Sequence, residues 1–465
     1  MPQFHYRSLD DLQADVVSRA LALGFQDDLT PLAEPVKVGP LVVANRMAVH
    51  PMEGCDGDRD GAPGELTFRR WRRFAEGGAA LLWGEATAVV PEARANPRQL
   101  LIDERNASAL KRLLDETRAA RRARFGTTAG FAVGLQLTHS GRWSHGDPVI
   151  AQHATALDAL KHCENAPLIA DDELERLADR FVGAAALARD IGFDFVDIKQ
   201  CHTYLLNELL GARSRHGAYG GSFDNRTRFV RHVFAMIRAR LGGTIALATR
   251  LNVFDGVPYV RDPLGNGTPA ACEAPYRAGW GLRDTAPVEP DLSEPLRLIA
   301  ELRDLGLALV NVTMGSPYYN PHIGRPFERP PVDGYASPEH PLIGVERHVT
   351  LSAQVQRAFP DLPIVGSGYS WLRHFALNAG AASVSSGGVT IVGLGRGALA
   401  YPDFAVDVLE GRGMERDKAC IGVSDCTALM RAKHNDLGQY ATGCVPRDRL
   451  YVQSLREARR SENWT

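Results

Sequence analysis

The sequence predicts an α/β fold, a closed (β/α)8 TIM barrel with long loops at its C-terminal face and a short C-terminal extension. Three observations predict it. Eight short apolar runs recur along the chain, at 46–51, 80–85, 131–137, 193–198, 245–250, 308–313, 363–366 and 390–393. Segments of helical period separate them, and helical crossovers make successive strands parallel. The side chains able to do chemistry stand just after these runs, where a parallel barrel presents its site.

Residues 1–36 form a lead-in. An amphipathic segment at 9–23 precedes a proline-containing stretch, and together they are expected to cover the barrel floor. The barrel itself is expected over 37–415. Its most informative run is 193–198, which ends abruptly in Lys199, Cys201, His202 and Tyr204. A buried parallel strand meets a ligand only at its C-terminal mouth, so Lys199, His202 and Tyr204 should face one pocket. The helix before this strand is legible at 171–189. Leu174, Leu177, Phe181, Ala185 and Ala188 lie on one stripe, and Asp171, Asp172 and Glu173 stand where the helix dipole favours negative charge. Two stretches break the rhythm, a Gly/Pro/Ala-rich one after Phe254 and a Pro/Tyr-rich one at 316–340. Both follow strands, so both are expected as long loops controlling access to the catalytic face.

Bulk properties exclude several function classes. Lys plus Arg (53) nearly balance Asp plus Glu (55), which gives no field for nucleic acid or an anionic membrane. No run is apolar enough to span a bilayer and the N-terminus lacks a signal pattern, so a cytoplasmic protein is expected. Seven scattered cysteines, an odd number in a long chain, point to free thiols.

The strand ends share a pattern when taken together. They read Pro51-Met52-Glu53 after the first, Gly84 in the second, Gln136 to Arg142 (Q-L-x-H-x-G-R) at the third, and Tyr219 to Arg226 (Y-G-G-S-x-x-N-R) downstream of the fourth. Arg250 follows the fifth, Gly366-Ser367-Gly368 the seventh, and Gly395-Arg396 the eighth. From about residue 38 to 412 this set resembles the Old Yellow Enzyme (NADH:flavin oxidoreductase) family of FMN-dependent ene-reductases, in the longer branch with dienoyl-CoA reductase and trimethylamine dehydrogenase.

The resemblance implies non-covalent FMN held by Pro51, Met52, Glu53, Gly84, Gln136, Arg250, Gly366, Ser367, Gly368, Gly395 and Arg396. Physics fits that assignment. Glycines let backbone N–H groups approach a phosphate, Arg396 adds a fixed cation, Gln136 can read the pyrimidine ring, and Arg250 would stabilise a reduced flavin. By the same resemblance NAD(P)H reduces the flavin, which passes hydride to an alkene conjugated to a carbonyl, carboxylate or CoA thioester. Lys199 and His202 would hold the activating oxygen, and Tyr204 would protonate the α-carbon, a role suited to a phenol neutral at pH 7. Oxidation of an amine or cyclic substrate by the same cofactor is the alternative, and a non-catalytic flavin-binding barrel the third reading.

Departures from the family sharpen the expectation. Lys199 replaces a histidine and favours an anionic or strongly polarised substrate unless Glu53 neutralises it. Cys55 is two positions late for a covalent flavin link. In the extension, 416–465, Cys420, Cys426 and Cys444 resemble a four-cysteine iron–sulfur motif in which Val423 replaces one ligand, so neither a cluster nor another metal is expected. Electrons would then reach FMN directly from a soluble nicotinamide. The expected partner is a small molecule, anionic or CoA-linked, and a homo-oligomer is compatible with the sequence.

Overall fold

The computed structural model describes residues 3–464. Eight parallel strands close a barrel: β1 (Met47–Val49), β2 (Leu81–Ala88), β3 (Ala132–Thr138), β4 (Phe195–Ile198), β5 (Ala246–Asn252), β6 (Leu307–Thr313), β7 (Ile364–Gly366) and β8 (Ile391–Leu394). Each expected apolar run supplies one strand. Closure is made by β8 against β1, with Val392, Gly393 and Leu394 in register with Met47, Ala48 and Val49. The strands read as continuous apolar runs because helices cover the outside while side chains fill the inside. The helix Asp171–Ile191 buries the expected stripe and stops at Gly192, whose φ of 107° suits a residue without a Cβ.

The barrel interior is layered. At the floor, Val38 and Val43 of an antiparallel hairpin (Val36–Val38 with Leu41–Val43) pack onto Ala48, Leu81, Phe195 and Leu309. This hairpin, at the end of the expected lead-in, covers the floor. The amphipathic segment, a helix at Leu9–Ser18, lies elsewhere, because the preceding Phe4 and Tyr6 pack edge-on against Trp371 in the turn after β7. Above the floor, Asp197 of β4 accepts hydrogen bonds from Trp83 Nε1 (2.8 Å), Gln136 Nε2 (2.5 Å) and the Arg250 backbone N–H (2.7 Å). One buried carboxylate thereby sets β2, β3 and β5 relative to one another, just beneath the mouth.

The register of β2 against β3 shifts between Trp83 and Ala86. Glu85 turns outward there, accepting from Trp71 Nε1 (3.1 Å), the Gly54 N–H (3.0 Å) and Arg70. Bulges of this kind re-aim side chains at barrel rims. The loop after β5 is more ordered than its composition suggests, since it carries two small hairpins, Tyr259–Arg261 with Gly267–Pro269 and Leu282–Arg283 with Ala286–Pro290. The extension forms helices Asp425–Arg431 and Leu450–Ser461 around a small core that includes Leu429, Tyr440, Tyr451 and Leu455. Asp448 is gripped by Arg69 (2.7 Å) and Arg73 (2.9 Å) of the helix Glu65–Glu76, and Thr442 N–H donates to Gly54 O (2.6 Å).

Candidate active site

A cleft opens at the C-terminal ends of the strands. His50, Pro51, Met52 and Glu53 line it from β1, Gln136 from β3, Lys199, His202 and Tyr204 from β4, and Arg250 from β5. Ser367, Gly368, Gly395 and Arg396 close it beyond β7 and β8. Its empty space, open mouth included, is about 1230 Å³. Two expected positions are not among the lining residues. A side chain at Gly84 would meet Trp71 and Gly134 O, so this glycine serves helix packing while Ala86 lines the cleft; Gly366 abuts Tyr369 and Val389.

After β4 the chain adopts left-handed backbone at two successive non-glycine residues, His202 (φ 63°) and Thr203 (φ 59°). Such strain persists only where surroundings impose it. Here Thr203 N–H donates to Asn207 Oδ1 (2.6 Å) and Thr203 Oγ1 to Tyr319 (2.9 Å). The strained turn lets His202 and Tyr204 both reach the cleft. Burial, with Arg250 and Lys199 nearby, holds His202 far below the usual histidine range, so its imidazole is neutral. Burial also pushes the Tyr204 phenol up, keeping it protonated.

Lys199 does not stand free to hold a substrate oxygen. Its Nζ lies 3.5 Å from the centre of the Tyr204 ring, a cation–π contact, and burial lowers its pKa. A cation on that face favours negative charge on the phenol once its proton leaves. Glu53 accepts from Asn96 Nδ2 (2.6 Å); burial raises its carboxyl to about 7, opposed by Lys199 and reinforced by Glu85.

The structure also brings in residues that the sequence reading missed. Arg325, from the loop after β6, lines the cleft with all three guanidinium nitrogens buried and without a protein partner, and burial beside Arg396 lowers it to about 9. Arg396 Nη1 is likewise unpartnered. His50 is fixed by its neighbour: Ser367 Oγ donates to Val312 O (2.7 Å) and accepts from Asn311 Nδ2 (3.0 Å), so toward His50 Nε2 (3.2 Å) it can only accept again. That places the ring proton on Nε2 and leaves Nδ1 a buried acceptor with no protein partner. The extension contributes Cys426, Thr427, Met430, Arg431 and Thr442 to the wall. The strand-end residues were visible in the sequence, but no local pattern marks a loop cation or a distant wall.

These features fit FMN. Gly368 (φ +93°) has no space for a Cβ, which would strike His348 at 2.5 Å, and a Cβ on Gly395 would meet Met52 Sδ at 2.8 Å. The unpartnered Arg325 guanidinium and the free Nη1 of Arg396, whose Nη2 donates to Pro326 O (2.7 Å), can balance a phosphate dianion, and Nδ1 of His50 can accept from a sugar-alcohol hydroxyl. Gln136 and Arg250 face the same cleft for a ring edge. Among the described residues, no group of three His, Cys, Asp or Glu side chains converges on a metal-sized point.

Fold and site together define a barrel of the flavin-binding class. Residues 31–263 match the NADH:flavin oxidoreductase / NADH oxidase family, and the chain belongs to that family. The 4,4'-dithiodibutanoate disulfide reductase of Rhodococcus erythropolis is 30% identical over 234 residues, which cover 48% of this chain and 54% of the relative. NADPH dehydrogenase of Clostridium acetobutylicum is 29% identical over 211 residues, 44% of this chain and 59% of the relative. The chain thus spans little more than half the length of these relatives. The solved structure of histamine dehydrogenase from Rhizobium sp. 4-9 shares the fold, with a TM-score of 0.61 over 86% of this chain and 50% of its own, at 20% identity.

Proposed function

We propose that this protein is an FMN-dependent NAD(P)H oxidoreductase that reduces an activated C=C bond. The observation that carries this reading is the neutral, buried Tyr204 phenol, with Lys199 over its ring, on the same cleft as the unpartnered Arg325 and the free Nη1 of Arg396. Bound FMN, once reduced by a nicotinamide, supplies hydride to the β-carbon of the alkene. His202, neutral and unable to compete for that proton, donates a hydrogen bond to the activating oxygen. Tyr204 gives its proton to the α-carbon, and the Lys199 ammonium offsets the charge left on the ring. Arg325 and Arg396 would hold the cofactor phosphate, and Gln136 and Arg250 would orient its ring.

Oxidation of an amine is the second reading, favoured by the Glu53 carboxylate among Tyr204, Tyr318 and Met52, a setting suited to an ammonium group. Absorption spectroscopy separates the two. Flavin bands bleached anaerobically by NADH or NADPH and restored by 2-cyclohexen-1-one support alkene reduction. Bands indifferent to both nicotinamides and bleached by histamine or another amine overturn it.

A further inference from the structure

We propose that Tyr318 is a second catalytic phenol, one that hydrogen-bonds Tyr204 and returns a proton to it after each turnover. The inference rests on the alkene-reductase reading of this site and adds a residue that neither the family motifs nor the comparisons assign. Tyr204 Oη and Tyr318 Oη are 2.9 Å apart, and each hydroxyl has the other as its one protein partner among the described residues. Two hydroxyls joined only to each other share one proton along the bond and leave the second free to point into the cleft. Both phenols line the cleft, Tyr204 at 3% exposure and Tyr318 somewhat more exposed.

Tyr318 is held for this task from several sides. Its ring stacks on Trp143 at 4.0 Å and 10°, and the Arg431 guanidinium sits 5.0 Å from its centre. Arg431 is itself fixed by Pro317 O (3.0 Å) and Asp333 (3.1 Å). The loop is pinned beside it, with Ser316 N–H donating to Asn320 Oδ1 (2.6 Å) and Asn320 Nδ2 to Asp255 O (2.8 Å). Each phenol therefore has a cation near its ring, Lys199 for Tyr204 and Arg431 for Tyr318, while burial and, after it, the charge of Glu53 oppose ionisation. Negative charge formed at either oxygen meets a cation and a donor, which is what transfer between the two requires.

The step balances. As hydride from the reduced flavin reaches the β-carbon, the Tyr204 O–H bond breaks and its proton forms the C–H bond at the α-carbon. The Tyr318 proton then moves to the Tyr204 oxygen, and Tyr318 takes a proton from water in the cleft. The sum is one hydride and one proton added across the C=C bond.

The test is a double-mutant cycle on steady-state turnover of the holoenzyme with NADPH and excess 2-cyclohexen-1-one in H2O and D2O, because repeated turnovers need Tyr204 reprotonated. Tyr318→Phe keeps the stack on Trp143 and should slow turnover about tenfold, alter the solvent isotope effect, and leave flavin reduction unchanged within about twofold. Combined with Tyr204→Phe it should cause no further loss, because two members of one relay do not add. Tyr318→His, which keeps a donor, should recover part of the rate. Wild-type turnover in Tyr318→Phe, or losses that multiply in the double variant, would overturn the relay. A wild-type rate in Tyr204→Phe alone would instead sink the reading of the site on which the relay depends.

Discussion

The floor and the mouth of the barrel are built from the same eight strands yet obey opposite rules. At the floor, Val38 and Val43 meet Ala48, Leu81, Phe195 and Leu309 in a dry apolar layer. At the mouth, the Arg325 guanidinium and His50 Nδ1 are buried without partners, and His202 and Thr203 hold left-handed backbone. Burying a cation unpaired costs free energy that an apolar side chain would not. The floor supplies stability that the mouth spends on groups waiting for a ligand, and the Asp197 hub between them keeps the two in register.

Four variants would break or sharpen this division. The largest effect should come from Leu309→Ala at the floor, a loss of about 2–5 kcal/mol in urea unfolding with FMN affinity little changed. A matching fall in affinity would show that floor and mouth are not separable. Next, Tyr204→Phe should slow alkene reduction about 10²-fold or more while the unfolding midpoint stays near that of the wild type, as read by stopped flow and urea titration. Third, Arg325→Met should weaken FMN binding about tenfold, followed by flavin fluorescence, while the apoprotein melts at a higher temperature. A lower apoprotein melting temperature would mean that Arg325 is a structural cation.

The smallest effect concerns Glu53. Its carboxyl is raised from 4.5 to about 7, so between those values the folded protein holds a proton that the unfolded chain has released. The stability this lends is complete below pH 4.5 and is lost as pH rises through 7. Glu53→Gln should therefore be more stable than the wild type at pH 8 and nearly equal to it at pH 4.5. Parallel denaturant curves at the two pH values give the answer, and a constant offset would place the ionisation elsewhere.

Much of the barrel was legible because its strands are apolar runs of the right length and spacing, and periodicity survives without knowledge of the partner strand. The helix at Asp171–Ile191 was readable for the same reason. Motif residues at strand ends, such as Gln136, Arg250 and Arg396, were legible because the fold fixes where a strand end must point. Lys199 was readable as a cleft residue but not as a ring contact, since a four-carbon side chain has several reachable partners. Arg325, Tyr318 and the extension were hidden. Each reaches the cleft through a loop whose path depends on side-chain locks such as Asn320 to Asp255, and such locks carry no period. Gly84 misled because a glycine in a strand can make room for a ligand or for a neighbour, and here the neighbour is Trp71.

The stitching of the extension onto the barrel bears on how the protein is made. All eight strands have been translated once Leu394 has been added, yet Cys426, Met430, Arg431 and Thr442 of the cleft wall come later in the chain. During that interval a nascent chain can close its sheet through β8 and β1 while its cleft still lacks a side. The cleft therefore gains its last wall only after synthesis of the extension, when Arg69 and Arg73 have taken hold of Asp448. The order of translation thus separates the closing of the sheet from the completion of the pocket it carries.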